Sequence, residues 1–166
     1  LKGWASSGRV GLKVGIGQLA WLSNAGLIQR FAEFKIIRIR RVDVIAQAVS
    51  LFLARETGQW HSNMAPSQTH KPSYNEAAIS AALNEIRLTE TAIDDFINLH
   101  KPPALVLTYE TLVEEPVAAL DRCCAFLEWD SDCPEKLGEG IAPLRRQADG
   151  VNASFSARYR HEVLGC

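Results

Sequence analysis

Arginine is concentrated at one point of the chain, where an apolar strand meets an apolar helix. The strand is predicted over residues 34–39, and Arg38, Arg40 and Arg41 crowd the turn that leads into the helix. Cations are unfavourable at a helix N-terminus, because that end already carries about half a positive charge. A phosphate or sulfate would relieve the repulsion, since helix N–H groups and arginine forks both bind such anions. The pattern therefore predicts an anion site.

The helix after this turn is apolar nearly all round and carries one hydroxyl, Ser50, on its second turn. Its apolar character predicts burial on more than one side. Asp43 is the expected N-cap and Gly58 the expected end of this helix, which gives bounds of about residues 43–56. The hydroxyl of Ser50 would add a hydrogen-bond donor to the arginines of the anion site.

The remaining elements follow from the spacing of apolar residues and from the positions of glycine and proline. Strands are predicted at residues 10–14, 34–39 and 104–108, and helices at residues 18–24, 43–56, 75–99, 116–127 and 151–160. The unbroken apolar run at 104–108 suits a central parallel strand. This order indicates an α/β fold, a parallel sheet flanked by helices, in a single domain over residues 1–166.

Composition restricts the partners of this domain. A net charge of -1 gives no general attraction to nucleic acid, so any anion site is local. No apolar stretch approaches the roughly 20 residues of a membrane span. The four cysteines contain no C-x-x-C pair, so we expect no metal site and reduced, mostly buried cysteines in a cytoplasmic protein.

Two separated patterns resemble the sulfotransferases. The strand, arginine turn and helix serine are similar to their 3′-phosphate-binding segment. The second pattern, similar to their next strand–helix unit, begins with Tyr109-Glu110-Thr111-Leu112, continues with Glu115-Pro116 and closes on Phe126-Leu127.

Within this superfamily the chain resembles the bacterial trehalose 2-sulfotransferase family over nearly its whole length. The matching residues are Gly11-Leu12-Lys13, Gln18, Trp21, Arg40-Arg41, Asp43, residues 46–50, Thr57-Gly58, Trp60, residues 143–148, Asn152 and Arg158-Tyr159-Arg160.

The resemblance implies a P-loop-NTPase-like fold and an enzyme that uses 3′-phosphoadenosine 5′-phosphosulfate (PAPS). The sulfuryl group would pass to a carbohydrate hydroxyl of a trehalose-like or glycolipid acceptor. By resemblance, Arg41 and Ser50 bind the 3′-phosphate. In many sulfotransferases the arginine lies eight positions before the serine, which is Val42 here, so Arg40 also stays a candidate.

Further roles come from the resemblance or from position in the chain. Arg145, Arg146 and Gln147 would lie in the loop that closes over the nucleotide, or else form a solvated stretch. Trp60 and His61 are candidates for the acceptor pocket, with core packing and a structural helix end as the alternatives. Relatives dimerise, which makes a homodimer an expectation.

Glu110 follows the apolar strand at 104–108, at the end where ligands bind parallel sheets. Its carboxylate would either orient the arginines or form an ion pair that stabilises the fold.

The Ser/Gly-rich phosphosulfate loop and the glutamate general base of the family have no counterpart here. The segment Ser6–Arg9 is a poor substitute, because the five residues before it are too few for a strand and no helix follows at once. We therefore expect an N-terminally incomplete chain that carries the 3′-phosphate half of the site and is inactive alone, with the catalytic residues unknown.

Two hypotheses of other classes stay open. One is a non-catalytic module, derived from the same fold, that binds a nucleotide or a partner. The other is a helical interaction protein that presents the apolar stripe from Ile79 to Ile97 to a partner.

Overall fold

The computed structural model describes residues 2–6, 9–31, 33–60, 72–129 and 150–165. The chain divides into two compact units. The first unit comprises Leu1–Ile36 and Thr89–Ala104, and the second comprises Ile37–Leu88 and Leu105–Cys166. The single domain over residues 1–166 stays a prediction.

The first unit contains an antiparallel hairpin. Its strands are β1 (Lys2–Ser6) and β2 (Arg9–Lys13), and the register places Ser6 opposite Arg9. The predicted strand at residues 10–14 is therefore present, but the expectation that it joins a parallel sheet is wrong among the described strands. The expectation that no strand precedes Ser6 is also wrong, because five residues suffice when a neighbouring strand supplies the hydrogen bonds.

After the hairpin the first unit continues with helix α1 (Ile16–Asn24) and a short 3₁₀ turn (Ile28–Arg30). Leu22 and Ile28 are buried against Phe96 and form the core of this unit. The amide side chain of Gln18 accepts the backbone N–H of Gly15 at 2.6 Å and closes the first turn of α1. The helix predicted at residues 18–24 is thus confirmed, with one more half-turn at its start.

A parallel pair of strands, β3 (Ile36–Arg40) and β4 (Ala104–Thr108), supplies the sheet next to the arginine turn. The helices are α2 (Val44–Thr57), α3 (Glu76–His100), α4 (Tyr109–Glu114), α5 (Pro116–Leu127) and α6 (Gly150–Tyr159), which continues into a π-helical turn (Arg160–Leu164). A mixed fold with a small parallel sheet flanked by helices is therefore confirmed. The sequence prediction missed α4, whose six residues are too few to show a helical period.

Two different caps fix the bounds of α2. At its start the Asp43 carboxylate accepts the N–H of Ala46 at 2.9 Å, as expected of an N-cap. At its end Gly58 adopts a left-handed conformation with φ of 70°, which glycine reaches without the steric cost of a Cβ atom. Both predicted boundaries of this helix are confirmed.

The apolar stripe of α3 is core and not a surface for a partner. Its residues in the second unit pack against α2 and α6 in one buried cluster: Ala48, Val49, Phe52, Ile79, Ala82, Leu83, Ile86 and Tyr159. Further along the helix, Phe96 is buried in the core of the first unit. The hypothesis of a helical interaction protein is wrong for Ile79, Leu83, Ile86 and Phe96, because their side chains are already buried.

None of the described helices is long and apolar enough to cross a bilayer. The expectation of reduced cysteines is wrong at Cys124, which is disulfide-bonded, whereas the thiol of Cys123 is free.

Candidate functional site

The three arginines of the predicted cluster occupy different environments in the second unit. Arg38 is buried within β3 and Arg40 is the exposed last residue of that strand, so only Arg41 lies in the turn before α2. The expectation that all three crowd the turn is therefore wrong, since β3 extends one residue further than predicted. Arg40 and Arg41 remain adjacent to the helix N-terminus.

Arg41 is held over an aromatic ring. Its guanidinium carbon lies 4.7 Å from the centroid of Tyr109, the first residue of α4. This cation–π contact restricts the side chain without using its N–H groups. The Nε atom of Arg41 is buried and makes no hydrogen bond within the part of the chain that the structure describes. A buried donor without an acceptor is costly, and an anion at this position would remove the cost.

Two backbone N–H groups at the start of α2 already donate hydrogen bonds to carboxylates of the chain itself. The carboxylate of Glu110 accepts the N–H of Val42 at 3.1 Å, and that of Asp43 accepts the N–H of Ala46. The expectation that these backbone donors await an external anion is wrong for both of them. An anion site here has to depend on side chains.

The pKa of Glu110 reflects this position. Burial alone would raise it, but the backbone N–H groups of Val42 and Asp43 and the charge of Arg41 hold the pKa of Glu110 below its ordinary value of 4.5. The Glu110 carboxylate thus ties the turn to α4 through the N–H of Val42. An orienting role of Glu110 toward the arginines and a stabilising ion pair both stay predictions.

Asp43 has a second partner besides the helix. Arg160 forms a two-pronged ion pair with it, donating to both carboxylate oxygens at 2.7 Å. Partial burial acts to raise the pKa of Asp43, but the N–H of Ala46 and the charges of Arg160 and Arg41 together lower it from 3.8. The Asp43 carboxylate is therefore ionised and neutralised by Arg160, which limits its repulsion of a bound anion.

Ser50 is joined to the C-terminal helix α6. The side-chain amide of Asn152 donates to the Ser50 hydroxyl oxygen at 2.7 Å. Ser50 is half-buried and Asn152 is buried. Since its oxygen accepts this bond, the hydroxyl of Ser50 keeps its proton for a second partner.

Arginines and carboxylates lie together around the turn. Arg41 and Arg160 match the carboxylates of Asp43 and Glu110 in number, and the exposed Arg40 ends β3. The side chains can bind a small anion through guanidinium groups and a hydroxyl.

Most other predicted site residues are not brought to this turn. Trp60 lies beyond Gly58, at the opposite end of α2, and is 51% exposed. The expectation of core packing for Trp60 is therefore wrong, whereas a role with the acceptor stays a prediction. His61, Arg145, Arg146 and Gln147 lie outside the described residues.

Three residues of the site were quoted for the family resemblance but were given no role from the sequence: Tyr109, Asn152 and Arg160. Each contacts the turn or α2 from a distant part of the chain, and Asn152 lies 102 residues from its partner Ser50. The resemblance and their residue types were the available signals. Spacing along the chain could not pair them.

A comparison with protein families finds a match over most of the chain. The model of one family, Stf0 sulphotransferase, matches residues 18–162 and so covers β3, the arginine turn, α2 and α6. The chain belongs to the Stf0 sulphotransferase family. Membership supports a transferase that moves sulfuryl groups, and sulfotransferases generally use PAPS as the donor. No curated protein matches the chain.

Proposed function

We propose that this Stf0 family member transfers a sulfuryl group from PAPS to a carbohydrate hydroxyl, with a trehalose-like sugar or a glycolipid as acceptor. The N-terminal half of α2 supplies the site for the 3′-phosphate of the nucleotide. Arg41 and Ser50 bind the phosphate directly, and Arg40 adds charge at the rim. The fold proposed for the whole enzyme is the P-loop-NTPase-like fold of sulfotransferases, assembled as a homodimer.

The observation that carries the proposal is the buried Nε atom of Arg41, which has no acceptor among the described residues. The guanidinium group is already oriented by Tyr109, so an incoming phosphate would bind without the cost of ordering a mobile side chain. The N–H groups of Val42 and Ala46 are already bound by the carboxylates of Glu110 and Asp43. Arg41 is thus the group that gains most from an anionic ligand.

The side chains fit a phosphate better than they fit a carboxylate or a metal. A 3′-phosphate monoester is close to a dianion at neutral pH and presents three acceptor oxygens. The turn offers two neighbouring arginines and one hydroxyl, all of them donors. Among the described residues no group of three His, Cys, Asp or Glu could hold a metal ion.

When bound, PAPS supplies the sulfuryl group and a nucleotide leaving group. The residues of this chain position the nucleotide through its 3′-phosphate, which distinguishes PAPS from adenosine 5′-phosphosulfate. Charged hydrogen bonds of this kind contribute about 1.5–3 kcal/mol each, enough for a tenfold or larger preference. No described residue is assigned as the general base.

The test compares adenosine 3′,5′-bisphosphate with adenosine 5′-monophosphate by calorimetric titration of the purified chain. We expect the bisphosphate to bind at least tenfold more tightly, because only this ligand carries the 3′-phosphate. Ser50→Ala should reduce that preference, and Ser154→Ala, an exposed serine on α6, should leave it unchanged. Equal binding of both nucleotides to the folded chain would contradict the proposal.

A second function, a nucleotide-binding module without catalysis, is separated from the first by turnover. Incubation with PAPS and trehalose should yield a sulfated sugar if the chain is a complete enzyme. Sulfated trehalose would exclude the non-catalytic alternative, whereas binding of the bisphosphate without transfer is also expected of a chain that carries only the 3′-phosphate half of the site. The cytoplasmic location stays a prediction.

A further inference from the structure

We infer that Asn152 is a positioning residue that fixes the Ser50 hydroxyl as a hydrogen-bond donor to the bound anion. This inference rests on the proposed 3′-phosphate site. A serine hydroxyl can donate or accept, and an anion offers only acceptors. A neighbour that donates a hydrogen bond to the Ser50 oxygen leaves the Ser50 O–H free to donate to the ligand, whereas a neighbour that accepts from Ser50 does not.

The direction of the bond between the two residues gives the reason. The Nδ2 amide group of Asn152 donates to the Ser50 oxygen at 2.7 Å, and this group has no lone pair that could accept the Ser50 proton. The proton is thus directed away from Asn152. Ser50 is only half-buried, so the proton side of the hydroxyl remains within reach of a ligand.

Asn152 is held in place by the packing of α6 along α2. At one end of the contact Asn152 meets Ser50, and at the other end Arg160 meets Asp43. Asn152 and Arg160 are eight residues apart, and their partners Ser50 and Asp43 are seven residues apart in the opposite chain direction. The two segments are therefore antiparallel. At the helical rise per residue, the two pairs are about 12 Å and about 10 Å apart along their helices, so the spacings match.

Apolar contacts between these two anchors hold α6 rigidly. Tyr159 is 2% exposed, and its hydroxyl is bonded to that of Ser80 on α3 at 2.7 Å. The ring of Phe155 lies 6.4 Å from that of Phe52 on α2. A side chain on a helix fixed in this way can orient Ser50 before the ligand arrives, which lowers the ordering cost of binding.

The same face of α6 provides a matched control. Ser156 lies one turn after Asn152 and is 3% exposed, and its hydroxyl makes no hydrogen bond within the described part of the chain. Removing this hydroxyl should not weaken the packing, because an unpartnered buried polar group does not stabilise the fold. Ser156→Ala thus perturbs the same helix interface without touching Ser50.

The experiment replaces Asn152 by aspartate, which has nearly the same shape and only acceptor atoms when ionised. Its carboxylate would accept a hydrogen bond from the Ser50 hydroxyl and would add a negative charge beside the anion. We expect Asn152→Asp to weaken binding of adenosine 3′,5′-bisphosphate by about tenfold or more at pH 7.5. Binding of adenosine 5′-monophosphate should change by less than about twofold, and Ser156→Ala should leave both affinities unchanged.

A double-mutant cycle removes the contribution of charge. Asn152→Ala should weaken bisphosphate binding about three- to fivefold in the native chain, where Ser50 loses its orientation. The same substitution should have no effect in a Ser50→Ala background, where no hydroxyl is left to orient. Equal weakening in both backgrounds, or an equal loss for both nucleotides with a lower unfolding temperature, would show a purely structural role and overturn the inference.

The outcome for the native chain separates this inference from the proposed function. If the native chain prefers the bisphosphate and Ser50→Ala reduces that preference while Asn152→Asp does not, the site stands and the role of Asn152 is refuted. If the native chain does not discriminate between the nucleotides, the proposed function fails, and the inference fails with it.

Discussion

The two ends of α2 are stabilised by different kinds of contact. In the N-terminal half, side chains from three other elements contact the turn or the helix: Tyr109, Glu110, Asn152 and Arg160. At the C-terminal end, Gly58 closes the helix by its backbone conformation, and Thr57 donates its hydroxyl to the carbonyl of Leu53 at 2.8 Å. A helix needs only local capping to stop. The additional polar contacts at the N-terminal end join the residues of the proposed anion site.

Arginine shows the same contrast. Arg41, at the N-terminal end, has a buried Nε atom without an acceptor among the described residues. Arg55, in the last turn, forms an ion pair with Glu85 at 2.8 Å on the exposed surface and favourably faces the negative end of the helix. Arg55 is thus stabilised by an ion pair and by the helix dipole, whereas Arg41 retains a hydrogen-bond donor for a ligand. Substitutions at the two ends of α2 test this difference.

Arg41→Ala should have the largest effect on nucleotide binding. Loss of two charged hydrogen bonds to a phosphate corresponds to about 3 kcal/mol, or roughly a hundredfold weaker binding of adenosine 3′,5′-bisphosphate in a calorimetric titration. The matched substitution Arg55→Ala removes the same side chain from the other end of α2 and should leave the affinity unchanged. Similar losses for both variants would mean that only general charge matters.

The two caps should respond alike to alanine and to asparagine, for different physical reasons. Asp43→Ala and Gly58→Ala should each lower the free energy of unfolding by about 1 kcal/mol in urea denaturation. Asparagine should restore most of the loss at both positions, because its side chain accepts a hydrogen bond at an N-cap and its backbone tolerates the left-handed region. An Asp43→Asn variant as unstable as Asp43→Ala would show that the ion pair with Arg160, and not the cap, carries the stability.

Glu110 should make the stability of the chain depend on acid. Its pKa is lowered below 4.5 in the folded chain, so its contribution is complete above pH 4.5 and is lost as the pH falls through the lower folded-state value. Asp43 adds to the same trend below 3.8, since its pKa is also lowered. Glu110→Gln should cost about 1 kcal/mol at pH 7 and flatten this part of the pH profile.

The control for that profile is Glu115→Gln, since Glu115 is exposed and its side chain makes no capping bond to α5. This variant should keep the pH dependence of the native chain. If thermal unfolding between pH 3 and pH 5 is the same for the native chain and Glu110→Gln, the carboxylate does not hold the turn.

Trp60→Ala should have the smallest effect. Trp60 is 51% exposed beyond the C-terminal end of α2, so neither the free energy of unfolding nor the affinity for adenosine 3′,5′-bisphosphate should change by more than a few tenths of a kcal/mol. If only binding of the acceptor sugar changes, Trp60 contacts the acceptor, as the resemblance implies. A large loss of nucleotide affinity would indicate that the nucleotide binds near the C-terminal end of α2, which contradicts the proposed site.

Local rules predicted the elements of this chain better than they predicted its contacts. The bounds of α2 follow from Asp43 and Gly58, and those of α5 from Pro116 at its first position, because caps and proline act within a few residues. The hairpin was missed, since Lys2–Ser6 has no regular alternation and its strand depends on the pairing with β2.

For the candidate site, the sequence identified Arg40, Arg41 and Ser50 from types and spacing within one segment. It did not reveal that Glu110 would occupy the N–H of Val42, or that Asn152 would donate to Ser50, because these pairs are separated by 68 and 102 residues. Such contacts arise from the packing of helices and strands against each other. The chemistry of a single turn is therefore predictable, and the groups that complete it are not.

The most direct test of the account is a crystal structure of the chain with adenosine 3′,5′-bisphosphate. The account predicts that oxygens of the 3′-phosphate lie within about 3 Å of the Ser50 hydroxyl and of the Arg41 guanidinium group, with Asn152 still bonded to Ser50 on the other side. A nucleotide whose 3′-phosphate lies elsewhere, with the Arg41 Nε atom still lacking an acceptor, would contradict it.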